Sequence, residues 1–390
     1  MIKSFSFSED EYRRRVVALQ LLIQEQNLDT LVITDLANIC YLSGFQTIGS
    51  YGYALYALVV PAEGDVILFA SDFESHNAKI GSWIDDVVVY RVQYQITGNP
   101  FIQLIELLKD RRLCTGRIGC EQGHFGITVR EFHMLTQHLE NALLVDAGDL
   151  VDRVKIVKSS EEIEILRRAA RLTTIGAKAG IESALEGNSD NDIAAAVYKA
   201  VIRHGGEYFS LQPVVTTGSR SGIPHSTFKR NQLKKGDNIF MEISASYERY
   251  SAPTLRTMFI GKPSFEVSRA LAACKASVTT LTENLKHGVS AKAVAQKAGK
   301  SLRKIEPALI WHGYYGYSVG LTFPPAGSDC KSTYDITEAE DFELKSGMVF
   351  HCNTSLRKIG VFGVTMGDTV LITDSGCEIL TGVTGEMLLC

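Results

Sequence analysis

The sequence predicts an α+β protein in two parts: a small α/β domain with a mixed sheet over residues 1–155, and a larger domain over residues 156–390. Three observations carry this. In the first part short β-branched runs are interleaved with helical patterns; in the second, helices and antiparallel-looking strands come in separate groups, which is the habit of α+β folds. Between the two lies the connector AGDLVDRVKIVK, followed by the helix-starting pattern Ser159-Ser160-Glu161-Glu162. Finally, 390 residues with 45% hydrophobic and 22% charged content suffice for two cores.

Each element follows from local pattern. Ser8 and Glu11 form a capping box, and Tyr12, Val16, Leu19 and Ile23 recur at helical spacing behind it, which predicts a first helix to about Gln26. The runs at 31–34, 56–60, 65–70, 86–90 and 117–121 are short and rich in β-branched residues, with helical patterns near 100–110 and 128–140. Beyond the boundary the spacing predicts helices at 159–185, 190–204, 264–286 and 290–304. Strands are predicted at 212–217, 237–245, 255–260, 348–353 and 368–373.

Composition excludes several classes of function. A net charge of −4 without blocks of like charge gives no electrostatic case for nucleic acid or a membrane surface. The eight cysteines fall singly, without a C-x-x-C pair, and read as reduced thiols. No signal-peptide core and no apolar run of roughly eighteen residues is found, so a cytoplasmic location is the expectation. Signatures for P-loops, dinucleotide binding, nucleophile elbows and zinc helices are absent.

The second part carries, in order, VVTTG, PHSTF, LKKGDNIFMEIS, RYSAPTLRTMFIG, GYSVGL, LKSGMVF and GDTVLIT. This series resembles the creatinase/prolidase/aminopeptidase P/methionine aminopeptidase family, and the resemblance implies a pita-bread fold for residues 156–390 and a creatinase-like domain before it. Peptidases of that family hold two metal ions through two Asp, a His and two Glu. By their surrounding motifs those positions fall here on Glu242, Pro253, Tyr317, Asn353 and Gly367. Pro, Gly and Tyr supply neither the carboxylate oxygens nor the imidazole that a divalent cation requires, so no metal site and no cofactor are expected.

His225, in GIPHSTF, matches the position where the resemblance implies a catalytic histidine; the ordinary reading of a lone histidine is a structural or surface group. Glu242 stands on an otherwise apolar strand. A buried carboxylate there needs a partner, and Arg249 or Arg256 would be the ordinary one. The functional reading is a pocket carboxylate facing a cationic or zwitterionic small molecule, with an amidinium or guanidinium as its natural complement. Tyr250, Tyr317, Asn353 and His351 are candidate substrate-binding residues, with packing an equal alternative for Tyr317 and His351. In creatinase-like homodimers a loop of the first domain reaches the partner's site. The resemblance therefore adds Phe45 and Tyr51, with Gln46 and Tyr53, as candidates, a Gly-rich loop anchored by core aromatics being the equal alternative, and implies a homodimer.

Closer still is the similarity to ectoine hydrolases, creatinase-like enzymes that open a cyclic amidine. It rests on Phe240-Met241-Glu242, Arg249-Tyr250-Ser251-Ala252-Pro253, Arg256-Thr257, and the segment from Gly316 to Pro325. Ser251 and the Ala326-Gly327 pair depart from that pattern, standing where those enzymes tend to have His and Asp-Trp. What this implies is a metal-independent C–N hydrolase with His225 as general acid and base. Glu242 would either stabilise the cationic centre or attack it. The alternatives are a creatinase-like hydrolase of guanidino acids, a non-catalytic binding module, and an Xaa-Pro peptidase, the last disfavoured by the missing ligands.

Overall fold

Tyr12, Val16, Leu19 and Ile23 are all buried along helix α1 (Glu9–Glu25), as their spacing requires. Ser8 caps it by accepting the Glu11 N–H. The Glu11 carboxylate, expected to return a bond to Ser8, instead binds Arg14 and Arg15 at 2.8 Å. Fully buried Arg15 lies over the rings of Phe7 and Tyr41, a stronger claim on the carboxylate than one backbone N–H. The computed structural model describes residues 3–48, 54–93, 99–124, 126–305, 309–324, 327–330 and 334–382. It divides into two units, Met1–Val154 and Lys155–Cys390.

In the first unit the strands are β1 (Thr30–Ile33), β2 (Ala57–Pro61), β3 (Ile67–Ser71), β4 (Val87–Tyr90), β5 (Gly116–Cys120) and β6 (Ala142–Asp146). They form one sheet in the order β4-β3-β2-β1-β5-β6. β2 runs antiparallel to both neighbours, and the remaining pairs are parallel, so the sheet is mixed as expected. Helices α2 (Leu36–Ser43), α3 (Ser75–Gly81), α4 (Phe101–Asp110), α5 (Val129–His138) and α6 (Leu150–Lys155) complete the run. Leu104 and Leu135, from α4 and α5, pack with Val32, Val59, Phe69 and Ile118. β6 was not expected; its alternating ALLVD is only half-buried at the sheet edge and so carries a weak apolar signal.

The second unit opens with α7 (Ser160–Glu182), whose capping box of Ser159 and Glu162 is present in both directions. α8 (Asp190–Arg203), α9 (Phe265–Asn284) and α10 (Ala291–Leu302) follow the predicted spans closely. Its strands include β7 (Val214–Thr217), β8 (Asn238–Ile243), β9 (Ser246–Tyr247), β10 (Tyr250–Ser251), β11 (Thr254–Phe259) and β12 (Tyr314–Ser318). After them come β13 (Ile336–Thr337), β14 (Val349–Lys358), β15 (Phe362–Ile372) and β16 (Cys377–Ile379). The large sheet runs β13-β12-β14-β15-β11-β8-β7, with β16 on β15.

Period-two alternation divides this sheet into two chemically different faces. Ile239, Met241 and Ile243 of β8 pack with Ile193, Val197 and Val201 of α8. Phe350, Cys352 and Leu356 of β14 pack with Cys274, Leu281 and Val294 of α9 and α10. The intervening residues, Glu242 on β8 and His351, Asn353, Ser355 and Arg357 on β14, therefore project to the opposite face. Among the described residues no helix is long and apolar enough to cross a membrane.

Candidate active site

The register of the sheet assembles this second face. Glu242 stands opposite Leu255, Leu255 opposite Gly367, and Gly367 opposite Asn353, so one row crosses β8, β11, β15 and β14. In the next row Tyr317 opposes His351, and His351 opposes Thr369. Directly paired residues of antiparallel strands share a face, which gathers Glu242, Tyr317, His351 and Asn353 around one region. Pro253 lies two residues before Leu255, and its carbonyl accepts a hydrogen bond from Thr369 at 2.8 Å.

Glu242 is half-buried and makes no hydrogen bond or ion pair with any described residue. Arg249 and Arg256, the ordinary partners expected from the sequence, are engaged elsewhere. Arg249 binds Glu207 at 2.7 Å and lies over Tyr208, while Arg256 binds Asp368 at 2.7 Å and the Gly367 carbonyl at 2.6 Å. Burial pushes the Glu242 carboxyl up to about 7, and the positive charge of Arg357 holds it back only in part. The half-buried Tyr317 hydroxyl is raised well above its ordinary range, by burial first and then by Glu242 and Asp335. It is therefore a hydrogen-bond donor at neutral pH.

His351 is fully buried with its ring 5.3 Å from that of Tyr317. Nδ1 lies 3.0 Å from the Pro253 carbonyl, which can only accept, so Nδ1 carries the proton. Burial lowers the ring's pKa to about 3, against the Pro253 bond, with Arg256 lowering it further. The neutral ring thus presents the Nε2 lone pair, which is buried and unpartnered among the described residues. Asn353 is half-buried, its amide donating to the His351 carbonyl at 3.4 Å.

The donor set does not fit a two-metal centre. Among the described residues no three His, Cys, Asp or Glu side chains come together as a metal cage. At Gly367 a Cβ would stand 2.6 Å from the Asn353 Cβ and 3.0 Å from the Cys352 carbonyl, so the β14–β15 approach leaves no space for a carboxylate-bearing side chain.

The other expected residues are placed differently. His225 is exposed on the loop after the short helical turn Gly218–Gly222, with φ of 53°, and makes no hydrogen bond, ion pair or ring contact with a described residue. The loop around it is fixed: Arg220 donates to Ser226 Oγ at 2.7 Å and the Thr227 carbonyl at 2.8 Å, and Thr227 Oγ1 donates to Pro213. Tyr250 requires a correction. Expected to contact substrate, it is fully buried and its hydroxyl donates at 2.9 Å to Glu162, whose carboxylate also caps α7. Phe45 is completely buried in the first unit, 5.4 Å from the Tyr56 ring, so its surface is given to packing. Tyr51 and Tyr53 lie outside the described residues.

Arg357 was missed by the sequence reading. The alternation His351, Asn353, Ser355, Arg357 was its available signal, once the β14 strand is extended beyond residue 353.

A sheet carrying two helix pairs on one face and a row of polar residues on the other, preceded by a small mixed-sheet unit, is the pita-bread architecture of two-domain creatinase-like proteins. Residues 164–374 match Metallopeptidase family M24 and residues 15–157 match the Creatinase/Prolidase N-terminal domain, and the chain belongs to the M24 family. It is 26% identical to an ectoine hydrolase of Halomonas elongata over 97% of this chain and 96% of that one. To an Xaa-Pro dipeptidase of Pyrococcus furiosus it is 25% identical, over 96% of this chain and all of the other. Among solved structures, an Xaa-Pro dipeptidase from Bacillus anthracis aligns with a TM-score of 0.83 at 17% identity, over 97% and 100% of the two chains. An X-Pro aminopeptidase from Thermotoga maritima aligns at 0.81 and 22%, over 96% and 99%. These structures share the fold. The chain is a member of a hydrolase family.

Proposed function

We propose that the protein is a metal-independent hydrolase that opens a C–N bond of a small cyclic amidine of the ectoine type, with Glu242 at the reacting centre. The observation that carries this is Glu242 itself: a half-buried carboxylate without a protein partner among the described residues, on the face where a metallopeptidase would gather its ligands. An amidinium is planar, cationic and rich in N–H donors, the complement of such a group. The His351 Nε2 lone pair and the Asn353 amide offer further acceptors for those N–H groups.

In the reaction, water adds to the amidine carbon, a proton passes to the departing ring nitrogen, and the C–N bond breaks to leave an amide and an amine. Glu242 meets the cationic centre, and His225, the histidine marked by the resemblance to this family, moves the protons. Tyr317, held protonated, donates to the substrate. The Xaa-Pro dipeptidase relative, matched over 96% of this chain, keeps peptide cleavage as the competing reading. Incubation with cyclic amidines, guanidino acids and Xaa-Pro dipeptides, with and without chelator and followed by mass spectrometry, tests it. Ring opening of an amidine unaffected by chelator is expected; metal-dependent release of amino acids from dipeptides alone would overturn the proposal.

A further inference from the structure

Arg357 holds a charge that nothing in the protein balances at close range. Only 7% of the residue is exposed, yet among the described residues no carboxylate pairs with it. A guanidinium so far removed from water is costly without an anionic partner. Its Nη1 donates to the Ser221 carbonyl at 2.6 Å, and its plane lies 4.2 Å over the Phe240 ring. Neither contact neutralises the charge. The other N–H groups of the fork have no protein acceptor among the described residues.

Gly363, opposite Arg357 in the sheet, makes this arrangement possible. A Cβ there would stand 2.0 Å from the Ser221 carbonyl oxygen and 3.3 Å from Arg357 Nη1. With no side chain at that point, the arginine reaches over to the ring of Phe240. Phe240 and Glu242 are two residues apart on β8 and share its open face, a separation of roughly 7 Å along the strand. A cation and an anion thus stand on one face without forming an ion pair. Each lies within electrostatic reach of the other, and each is without a neutralising contact of its own.

We infer that Arg357 binds the anionic group of a zwitterionic substrate whose cationic C–N centre meets Glu242. The cationic half rests on the function proposed above; the anionic half rests on Arg357 alone. A molecule with only a cation would leave the buried guanidinium uncompensated, and one with only an anion would leave Glu242 so. A small ring or chain bearing an amidine or guanidine at one end and a carboxylate at the other satisfies both. The planar fork of Arg357 is suited to a carboxylate, to which it offers two parallel N–H donors.

The test compares matched pairs of probes: ectoine and the same ring without its carboxylate, creatine and methylguanidine, and an Xaa-Pro dipeptide and its decarboxylated pyrrolidide. Binding and turnover are measured for wild type, Arg357→Met and Arg357→Lys, with thermal unfolding to show that each variant is folded. In the pair that wild type accepts, Arg357→Met is expected to weaken binding of the carboxylated member by about 10- to 100-fold, raising KM with little change in kcat. The member without a carboxylate should show no comparable loss, since only the carboxylate meets Arg357 directly, and Arg357→Lys should recover part of the loss. Equal losses for both members would reduce Arg357 to a support of the Ser221 loop and overturn the inference, as would unchanged binding of the carboxylated member. If the guanidino pair shows the Arg357-dependent preference while no amidine binds, the inference stands and the amidine reading falls. If wild type prefers the carboxylated member of no pair, the inference falls.

Discussion

The two faces of the large sheet are built from alternate residues of the same strands, yet they obey opposite rules. On β14, Phe350, Cys352 and Leu356 enter a core closed by α9 and α10, and Thr354 Oγ1, the polar interruption, bonds Ser277 Oγ at 3.0 Å. One residue out of step, His351, Asn353 and Arg357 bring to the other face a buried unpartnered nitrogen, a half-buried amide and an unbalanced guanidinium. The packed face satisfies its groups internally. The open face leaves its strongest groups unsatisfied, and such groups persist in a stable protein where something outside the chain satisfies them.

That contrast can be broken from either side. The largest effect is expected on the open face: Glu242→Gln should lower turnover of an accepted amidine by roughly 10²–10⁴-fold while the protein stays folded, since it removes charge without changing shape. Steady-state kinetics with a circular-dichroism melt would show it, and an unimpaired variant would sink the role of Glu242. On the packed face Phe350→Ala should do the converse. It should cost about 3–5 kcal/mol in denaturant unfolding, with specific activity of the folded fraction largely kept.

A third expectation concerns pH. Folding raises the Glu242 pKa from an ordinary 4.5 to about 7, so between those values the folded state binds a proton that the unfolded state has released. The unfavourable contribution is absent below about pH 4.5, grows as pH rises, and is complete above about pH 7. Glu242→Gln should therefore be more stable than wild type by roughly 1–3 kcal/mol at pH 8, with the difference vanishing near pH 4. Binding of a cationic substrate should strengthen over the same interval, as the carboxylate forms. A difference of the opposite sign, with wild type the more stable at pH 8 and losing that advantage in acid, would place Glu242 in an ordinary ion pair.

The smallest effect separates Tyr250 from the site. Tyr250→Phe loses the bond to Glu162 and should cost about 1–2 kcal/mol of stability, with kcat and KM unchanged. A selective rise in KM would return Tyr250 to substrate binding.

Much of the fold could be read before the structure because its signals are local. The Ser159–Glu162 cap, the helical spacing of the four long helices and the β-branched runs each speak through neighbouring residues. Weakly patterned edge strands such as β6, and the strand character of Tyr314–Ser318 with its Gly and Tyr residues, do not. The candidate site divides the same way. Glu242 stood out as a charge on an apolar strand. Arg357 did not, because its meaning depends on Gly363, Phe240 and Ser221, which only the sheet register and the chain's return bring to it. Tyr250 misled for the converse reason: its partner Glu162 lies 88 residues away and already looked fully used as a helix cap.

The central claim, that the open face works through the Glu242 carboxylate and not through a metal pair, is tested most directly by metal analysis coupled to an assay of amidine ring opening in chelator. Full activity at near-zero metal content, abolished by Glu242→Gln, is the expected result. Activity lost to chelator and restored by a divalent cation would contradict it.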